Sequence, residues 1–346
     1  MIPSNKNIRL FTNKYCPSAN NVLRIIIYLL IYTGIPYSLS TNYDYNGYPD
    51  ACDLNEQQEC IQTKNEDDNS KGVRNIMKKV DGHIAWIEPG EIGDENTFNF
   101  GDRILRRVTR AKDPPVYVIH DFLKEDEADK LRNHAVKMDL EPSTSHADGI
   151  TFPYKGFGRK SKTTWIHHTD YDKIVKKLSR RFKRLTELPI QYIENAEMLQ
   201  VVQYKKHGHY YTHTDSHNTV ANRPCCGKVE CDENSKFCCQ LCRYITVMVY
   251  LNDVNEGGET VFPVADASDE TLKKYQKEKP YDLSKHCYNS SLIITPSKGM
   301  AVMWYNHKLN PRFSGLGDLI ERSYHGGCDV IKGEKWIANL WIVVDP

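Results

Sequence analysis

Apolar residues recur every three to four positions in two stretches of the chain. In 124–138 they are Ala128, Leu131, Ala135 and Met138, and in 170–188 they are Ile174, Leu178, Phe182 and Leu185. Both spacings predict helices, the second opened by Asp170 as a cap and closed before Pro189. The basic residues of that second helix (Lys176, Lys177, Arg180, Arg181, Lys183 and Arg184) fall beside the stripe and read as solvated surface. Beyond Pro189 the period drops to two. A β-rich run at 116–122 is joined by eight more at 198–204, 210–215, 244–252, 259–264, 292–295, 300–305, 323–325 and 335–344. Short strands separated by turn clusters predict a mainly β fold with flanking helices (α+β), a jelly-roll core with the two helices on one face.

The remaining segments set the organisation. Residues 25–35 are an apolar run of about eleven residues after Arg9, Lys14 and Arg24, with Ser38 and Ser40 behind it. A spanning helix needs roughly 20 such residues, so 1–40 reads as a signal peptide, or as a signal anchor if 22–39 is taken whole. Residues 41–80 are rich in Asn, Asp, Gln, Glu and Lys and read as a stalk; 82–110 has a mixed pattern and receives no assignment. The expected division is therefore 1–40, a polar extension 41–111 and a catalytic domain 112–346. Two insertions interrupt its strands, 218–242 and 265–290.

Composition narrows the classes. Among 346 residues, 46 Lys and Arg face 45 Asp and Glu, a net charge of +1, which leaves no basic surplus for a nucleic acid. A hydrophobic share of 40% with 26% charged residues excludes a multi-span membrane protein and a wholly disordered chain. Of 11 cysteines, Cys225, Cys226, Cys231, Cys238, Cys239 and Cys242 cluster in one insertion. Entry into the secretory pathway makes them disulfides; in a reducing compartment Cys226-x4-Cys231 and Cys239-x2-Cys242 have zinc-ligand spacing. Asn289-Ser290-Ser291 is a glycosylation sequon.

Candidate chemistry centres on His213-Thr214-Asp215 at a strand end, where alternation puts His213 and Asp215 on one face. His325 offers a third ligand. Two imidazoles and a carboxylate form a facial triad with positions left open, as a non-heme Fe(II) oxygenase requires; a zinc hydrolase uses the same residue types. Lys335 follows His325 by ten residues, on the next strand. A buried ammonium needs an anion, and the distal carboxylate of 2-oxoglutarate supplies one, with Tyr204 and Thr246 as hydroxyl donors beside it. A structural salt bridge is the plainer account of the same lysine.

Five segments carry a resemblance: AEMLQVVQY at 196–204, HYYTHTDS at 209–216, CRYITVMVYLNDVNEGGETVFPVAD at 242–266, GMAVMWYN at 299–306, and SYHGGCDVIKGEKWIANLWIVVDP at 323–346. They resemble the prolyl 4-hydroxylase family, most of all its transmembrane endoplasmic-reticulum branch. The resemblance implies a double-stranded β-helix core, Fe(II), 2-oxoglutarate, O2 and L-ascorbate. It also implies 4-hydroxylation of prolyl residues in protein substrates, with 2-oxoglutarate decarboxylated to succinate. By the same match His213, Asp215 and His325 bind iron, and Lys335, Tyr204 and Thr246 bind 2-oxoglutarate. Tyr210, Trp341 and Glu197 line the peptide proline. Residues 142–160 hold no Asp-rich twelve-residue loop, so the calcium regulation of the transmembrane branch is not expected. A separate peptide-binding domain has no place in the chain, which removes the basis for partnership with a disulfide isomerase. A lysyl hydroxylase would share the triad but place Arg at Lys335; a luminal scaffold would keep the β core and lose ligands.

Overall fold

The period-two runs become the middle of two facing sheets. The computed structural model describes residues 84–100, 103–143, 158–167, 173–220, 225, 240–310 and 315–344. Its main sheet is antiparallel throughout. Edge to edge it runs β1 (Glu95–Asn99), β2 (Ile104–Lys112), β3 (Pro115–His120), β12 (Ala301–Tyr305) and β8 (Arg243–Tyr250). It continues through β17 (Lys335–Val343), β6 (Leu199–Tyr204), β5 (Lys162–Ile166) and β4 (Glu141–Pro142). The minor sheet is β11 (Leu292–Ile294), β10 (Thr260–Phe262), β15 (His325–Gly327) and β7 (Tyr210–His213). Two ribbons, β9 (Glu256–Gly257) with β16 (Val330–Lys332) and β13 (His307–Leu309) with β14 (Leu316–Leu319), complete the strands. This is the predicted jelly roll.

Alternation assigns each main-sheet residue to one of two cores. Tyr117 and Ile119 of β3, Val247 and Val249 of β8, and Ala338, Leu340 and Ile342 of β17 face the helices α1 (Glu125–Val136) and α2 (Lys173–Thr186). Their neighbours Val116, Val118, Met248, Tyr250 and Ile337 face the minor sheet. Both faces are covered, so the strands read as nearly unbroken apolar runs. The helices contribute the predicted stripes, Ala128, Leu131 and Ala135 from α1 and Ile174, Leu178, Phe182 and Leu185 from α2. A short helix, α3 (Ile190–Glu194), follows α2.

Three expectations shift. The sheet begins before the expected boundary at 111/112: β2 runs across it, and β1 and β2 extend the main sheet beyond β3. Residues 84–88 are stitched in as well, with Tyr117 Oη donating to Ile87 O at 2.7 Å and Ile87 N donating to Tyr305 Oη at 2.9 Å. The insertion 265–290 folds into α4 (Asp269–Glu278), whose cap Ser268 Oγ accepts from Thr271 N, and α5 (Leu283–His286). Finally, the basic face of α2 is not all solvated. Arg181 is 3% exposed and grips Glu127 of α1 with both terminal nitrogens, at 2.7 and 3.0 Å. Lys177, Arg103 and the backbone N–H of Lys124 bond the same carboxylate. Lys176, Arg180 and Lys183 are exposed as expected. Asp170, the leader and stalk through residue 83, and four of the six clustered cysteines lie outside the described residues. No helix among the described residues is long and apolar enough to cross a membrane.

Glu127 therefore ties α1, α2 and the β1–β2 connection at one buried point. Burial opposes its charge, but the bonds from Arg181, Lys177, Lys124 N–H and Arg103 outweigh it and hold the carboxyl well below its ordinary 4.5. Removing one member of such a group leaves buried cations unanswered, at about 3–5 kcal/mol. Glu127→Gln should lose that much stability in urea unfolding at neutral pH. A depressed carboxyl contributes fully above its unfolded-state value and progressively less as pH falls below it. The gap between parent and variant should accordingly narrow below about pH 4.5.

Candidate active site

Strand pairing brings the two histidines together. β7 runs antiparallel to β15, and the register sets His213 opposite His325. Their rings lie 4.4 Å apart, centroid to centroid. His213 Nδ1 is 2.8 Å from Tyr211 O, and His325 Nδ1 is 2.9 Å from Ser323 O, the carbonyl two residues back in each case. A carbonyl oxygen only accepts, so each Nδ1 carries a proton and donates, which leaves Nε2 as the ring atom available for ligation when the imidazole is neutral. Asp215, in the bend just past β7, completes the set. Its Oδ1 is 3.7 Å from His213 Nε2 and its Oδ2 is 3.4 Å from His325 Nε2. Burial disfavours the charge of Asp215, yet His325 and His213 beside it hold the carboxyl well below the usual carboxylate range. Donor atoms of all three residues lie within 4.8 Å of one another. These are the predicted metal ligands.

A cleft opens beside them. Alternation along β17 sends Lys335, Ile337, Asn339 and Trp341 into it, with Gln200 and Tyr204 from β6, Thr246 and Met248 from β8, and Thr260 from β10. Lys335 is 3% exposed. Its Nζ donates to Thr260 Oγ1 at 3.2 Å and lies 5.6 and 5.5 Å from the ring centroids of Tyr204 and Tyr250. No carboxylate of the described residues forms an ion pair with it. Burial lowers its pKa to about 7, against a smaller opposing pull from Glu259. A β-carbon on Gly327 would stand 3.6 Å from Nζ, so that glycine keeps space clear beside the ammonium.

The other expected residues divide. Tyr210 lines the cleft, its ring 3.7 Å from that of His213, with the Arg159 guanidinium 4.4 Å above it. Burial pushes the Tyr210 hydroxyl up to about 12. Tyr204 lines the cleft too, its hydroxyl bonded by Arg159 and Ser161. Thr246 lines the cleft as well, and its hydroxyl donates to Asp215 Oδ2 at 2.7 Å. Glu197 is not among the residues lining the cleft; it accepts from Arg243 Nε and Nη2 at 2.6 and 2.8 Å, and Arg243 in turn stacks 3.7 Å from the Trp341 ring centroid. Trp341 Nε1 is buried without a hydrogen-bond partner. Arg159 and Thr260, which line the cleft, and Arg243 and Asn306, which contact Trp341 and Thr246 behind it, were missed, because nothing in the strand pattern marks such single polar residues as belonging to the site.

Two disulfides are described. Cys225 pairs with Cys242, which removes Cys242 from the zinc reading, and Cys287 pairs with Cys328. The second ties α5 and the turn Cys287–Asn289 to the loop three residues past His325. Asn289 is exposed on that turn.

Residues 199–343 match the sequence model of the 2OG-Fe(II) oxygenase superfamily. The fold and the facial triad define the same class. The chain is 30% identical over 265 residues to probable prolyl 4-hydroxylase 8 of Arabidopsis thaliana, covering 74% of this chain and 77% of that protein. It is 41% identical over 192 residues to the transmembrane prolyl 4-hydroxylase of Mus musculus, covering 54% of this chain but 38% of that protein. A viral collagen prolyl hydroxylase from Paramecium Bursaria Chlorella virus-1, solved with 2OG, is 27% identical; the match covers 67% of this chain and 96% of that one, with a TM-score of 0.42. The chain belongs to the prolyl 4-hydroxylase family.

The Cys287–Cys328 bridge closes a long loop, and constraining such a loop in the unfolded chain contributes about 2–4 kcal/mol. Non-reducing peptide mapping should recover this cross-link, and Cys287→Ser should lose stability of that order in chemical unfolding.

Proposed function

We propose that the chain is an Fe(II)- and 2-oxoglutarate-dependent dioxygenase that 4-hydroxylates prolyl residues of protein substrates. One observation carries the reading. A buried ammonium without a carboxylate partner, Lys335, faces the same cleft as two histidines and an aspartate whose donor atoms converge. The donor set fits Fe(II): two imidazoles whose Nε2 atoms converge with a carboxylate, the ligand types of a non-heme iron site. The space beside Gly327 and the unanswered charge of Lys335 fit the distal carboxylate of 2-oxoglutarate. When bound, the iron, 2-oxoglutarate and O2 supply the oxidising equivalent for the C–H bond, with succinate and CO2 as coproducts.

The protein's share is positioning. Tyr210 and Trp341 line the cleft as flat aromatic surfaces, each backed by a guanidinium, Arg159 and Arg243, and would contact the proline ring. The buried indole N–H of Trp341 is a donor for a peptide carbonyl. The names of the relatives support proline as the target, and L-ascorbate as the reductant goes with the family.

The chain spans less than half of the transmembrane relatives it matches, so activity and substrate need direct measurement. The disulfides and the exposed Asn289 sequon support a secretory setting, with catalysis in the endoplasmic reticulum lumen, glycosylation at Asn289, and residues 22–39 as signal or anchor. In domain terms the reading is 1–40 for targeting, an extension, and a catalytic body that includes β1 and β2. Incubation with a panel of proline peptides should give a mass gain of one oxygen on proline together with succinate. A gain on lysine alone, or no 2-oxoglutarate turnover with Fe(II) present, refutes the reading.

Losing the ammonium leaves a buried carboxylate unpaired, at about 3–5 kcal/mol, and about 1.4 kcal/mol is tenfold in affinity. Lys335→Ala should weaken 2-oxoglutarate binding to the Mn(II)-loaded protein by roughly two orders of magnitude or more, with Mn(II) affinity unchanged. The anion needs Lys335 protonated, and its pKa is about 7. Calorimetric affinity for 2-oxoglutarate should therefore fall about tenfold per pH unit above that value. Lys335→Arg, charged throughout, should abolish that slope.

A further inference from the structure

Asp215 is held by a chain of hydrogen bonds whose direction is set at its far end. Trp304 Nε1 lies 3.2 Å from Asn306 Oδ1, Asn306 Nδ2 lies 2.9 Å from Thr246 Oγ1, and Thr246 Oγ1 lies 2.7 Å from Asp215 Oδ2. Trp304, Asn306 and Thr246 are each no more than 1% exposed, so the polarity is decided inside the protein. An indole N–H can only donate, and it therefore selects the amide oxygen of Asn306. The amide NH2 must then face Thr246, and an NH2 group also only donates. With a lone pair of its oxygen taken, Thr246 directs its hydroxyl proton to Asp215. The Trp304 ring also lies 4.6 Å from the ring of His325, so the chain starts against one expected metal ligand and ends on another.

We propose that Asn306 is a positioning residue for the metal centre: by fixing the donor direction of Thr246 it keeps the Asp215 side chain turned toward the two histidines. The inference rests on the reading of His213, Asp215 and His325 as a metal site. It gives Thr246 a different job from the cosubstrate contact expected of it. Side chains that orient metal ligands are worth about 10–100-fold in metal affinity.

The test is Co(II) affinity of the purified full chain, followed by the visible absorption of the bound ion, with circular dichroism and melting temperature recorded on every variant. The parent should bind Co(II) at a site that His325→Ala abolishes. Asn306→Leu and Thr246→Val should each bind Co(II) about 10–100-fold more weakly with a shifted spectrum. The double variant should be no weaker than the worse single one, because the two act through one chain. Thr246→Ser, which keeps the hydroxyl, should bind as the parent does. If Asn306→Leu fails to fold, Trp304→Phe keeps the ring, removes the indole donor, and should show the same weakening together with Thr246→Val. Parent-like Co(II) affinity and spectrum in the folded variants, with only melting temperature lowered, would make Asn306 a packing residue and overturn the proposal. Losses that multiply in the double variant also overturn it. Absence of any His325-dependent Co(II) site in the parent refutes the metal reading itself, a separate result.

Discussion

A strand buried on both faces has no wet side, so every polar group it carries must be answered inside the protein. The central strands of the main sheet meet this condition, with helices packed on one face and the minor sheet on the other. On most of their length they comply by being apolar. Where β17 passes the cleft it does not: Lys335, Asn339 and Trp341 alternate into the interior. Asn339 is answered by Gln200 on β6, at 3.3 Å. Among the described residues Lys335 bonds the hydroxyl of Thr260 and faces the rings of Tyr204 and Tyr250. The cost of that imbalance falls on the free protein, and relief of it becomes available to whichever anion the cleft admits.

The same constraint separates what the sequence displayed from what it hid. The triad was legible because its spacing is local or falls on strands whose period is plain: His213 and Asp215 two apart, His325 and Lys335 on successive runs. The two cores were legible because alternation and a three-to-four period produce them directly. Thr246 and Glu197 sit near the site, where each already has a side-chain partner, Asp215 and Arg243 respectively. A hydroxyl or carboxylate in a strand announces that it needs an answer, not who gives it. The choice between a ligand and a neighbouring side chain depends on distances of a few ångströms set by sheet register. Arg181 shows the same ambiguity from the other side. A cation on a helix face reads as solvated until a carboxylate from another element, Glu127, is packed against it.

The strands β1 and β2 were missed for a different reason. They lie at the sheet edge, where one face meets solvent and the apolar signal is diluted; β1 is almost wholly exposed. The helices of the insertion 265–290 went unread because charged residues surround a single buried leucine, Leu272, in α4. Short helices on the rim of a fold owe their order to neighbours. Here those neighbours include a disulfide and the strand that carries His325.

The pairing of β7 with β15 also governs when the centre can exist during synthesis. His213 and His325 are separated by roughly 110 residues, and strands so distant in sequence meet only after the intervening chain has been made and folded. A ribosome-bound fragment ending before β15 has one imidazole and one carboxylate, too few to hold an ion firmly, and lacks Lys335 altogether. Metal loading is therefore a late event that reports completion of the whole body. A chain that stalls or misfolds in between is spared from carrying a redox-active ion in a half-built, water-filled pocket.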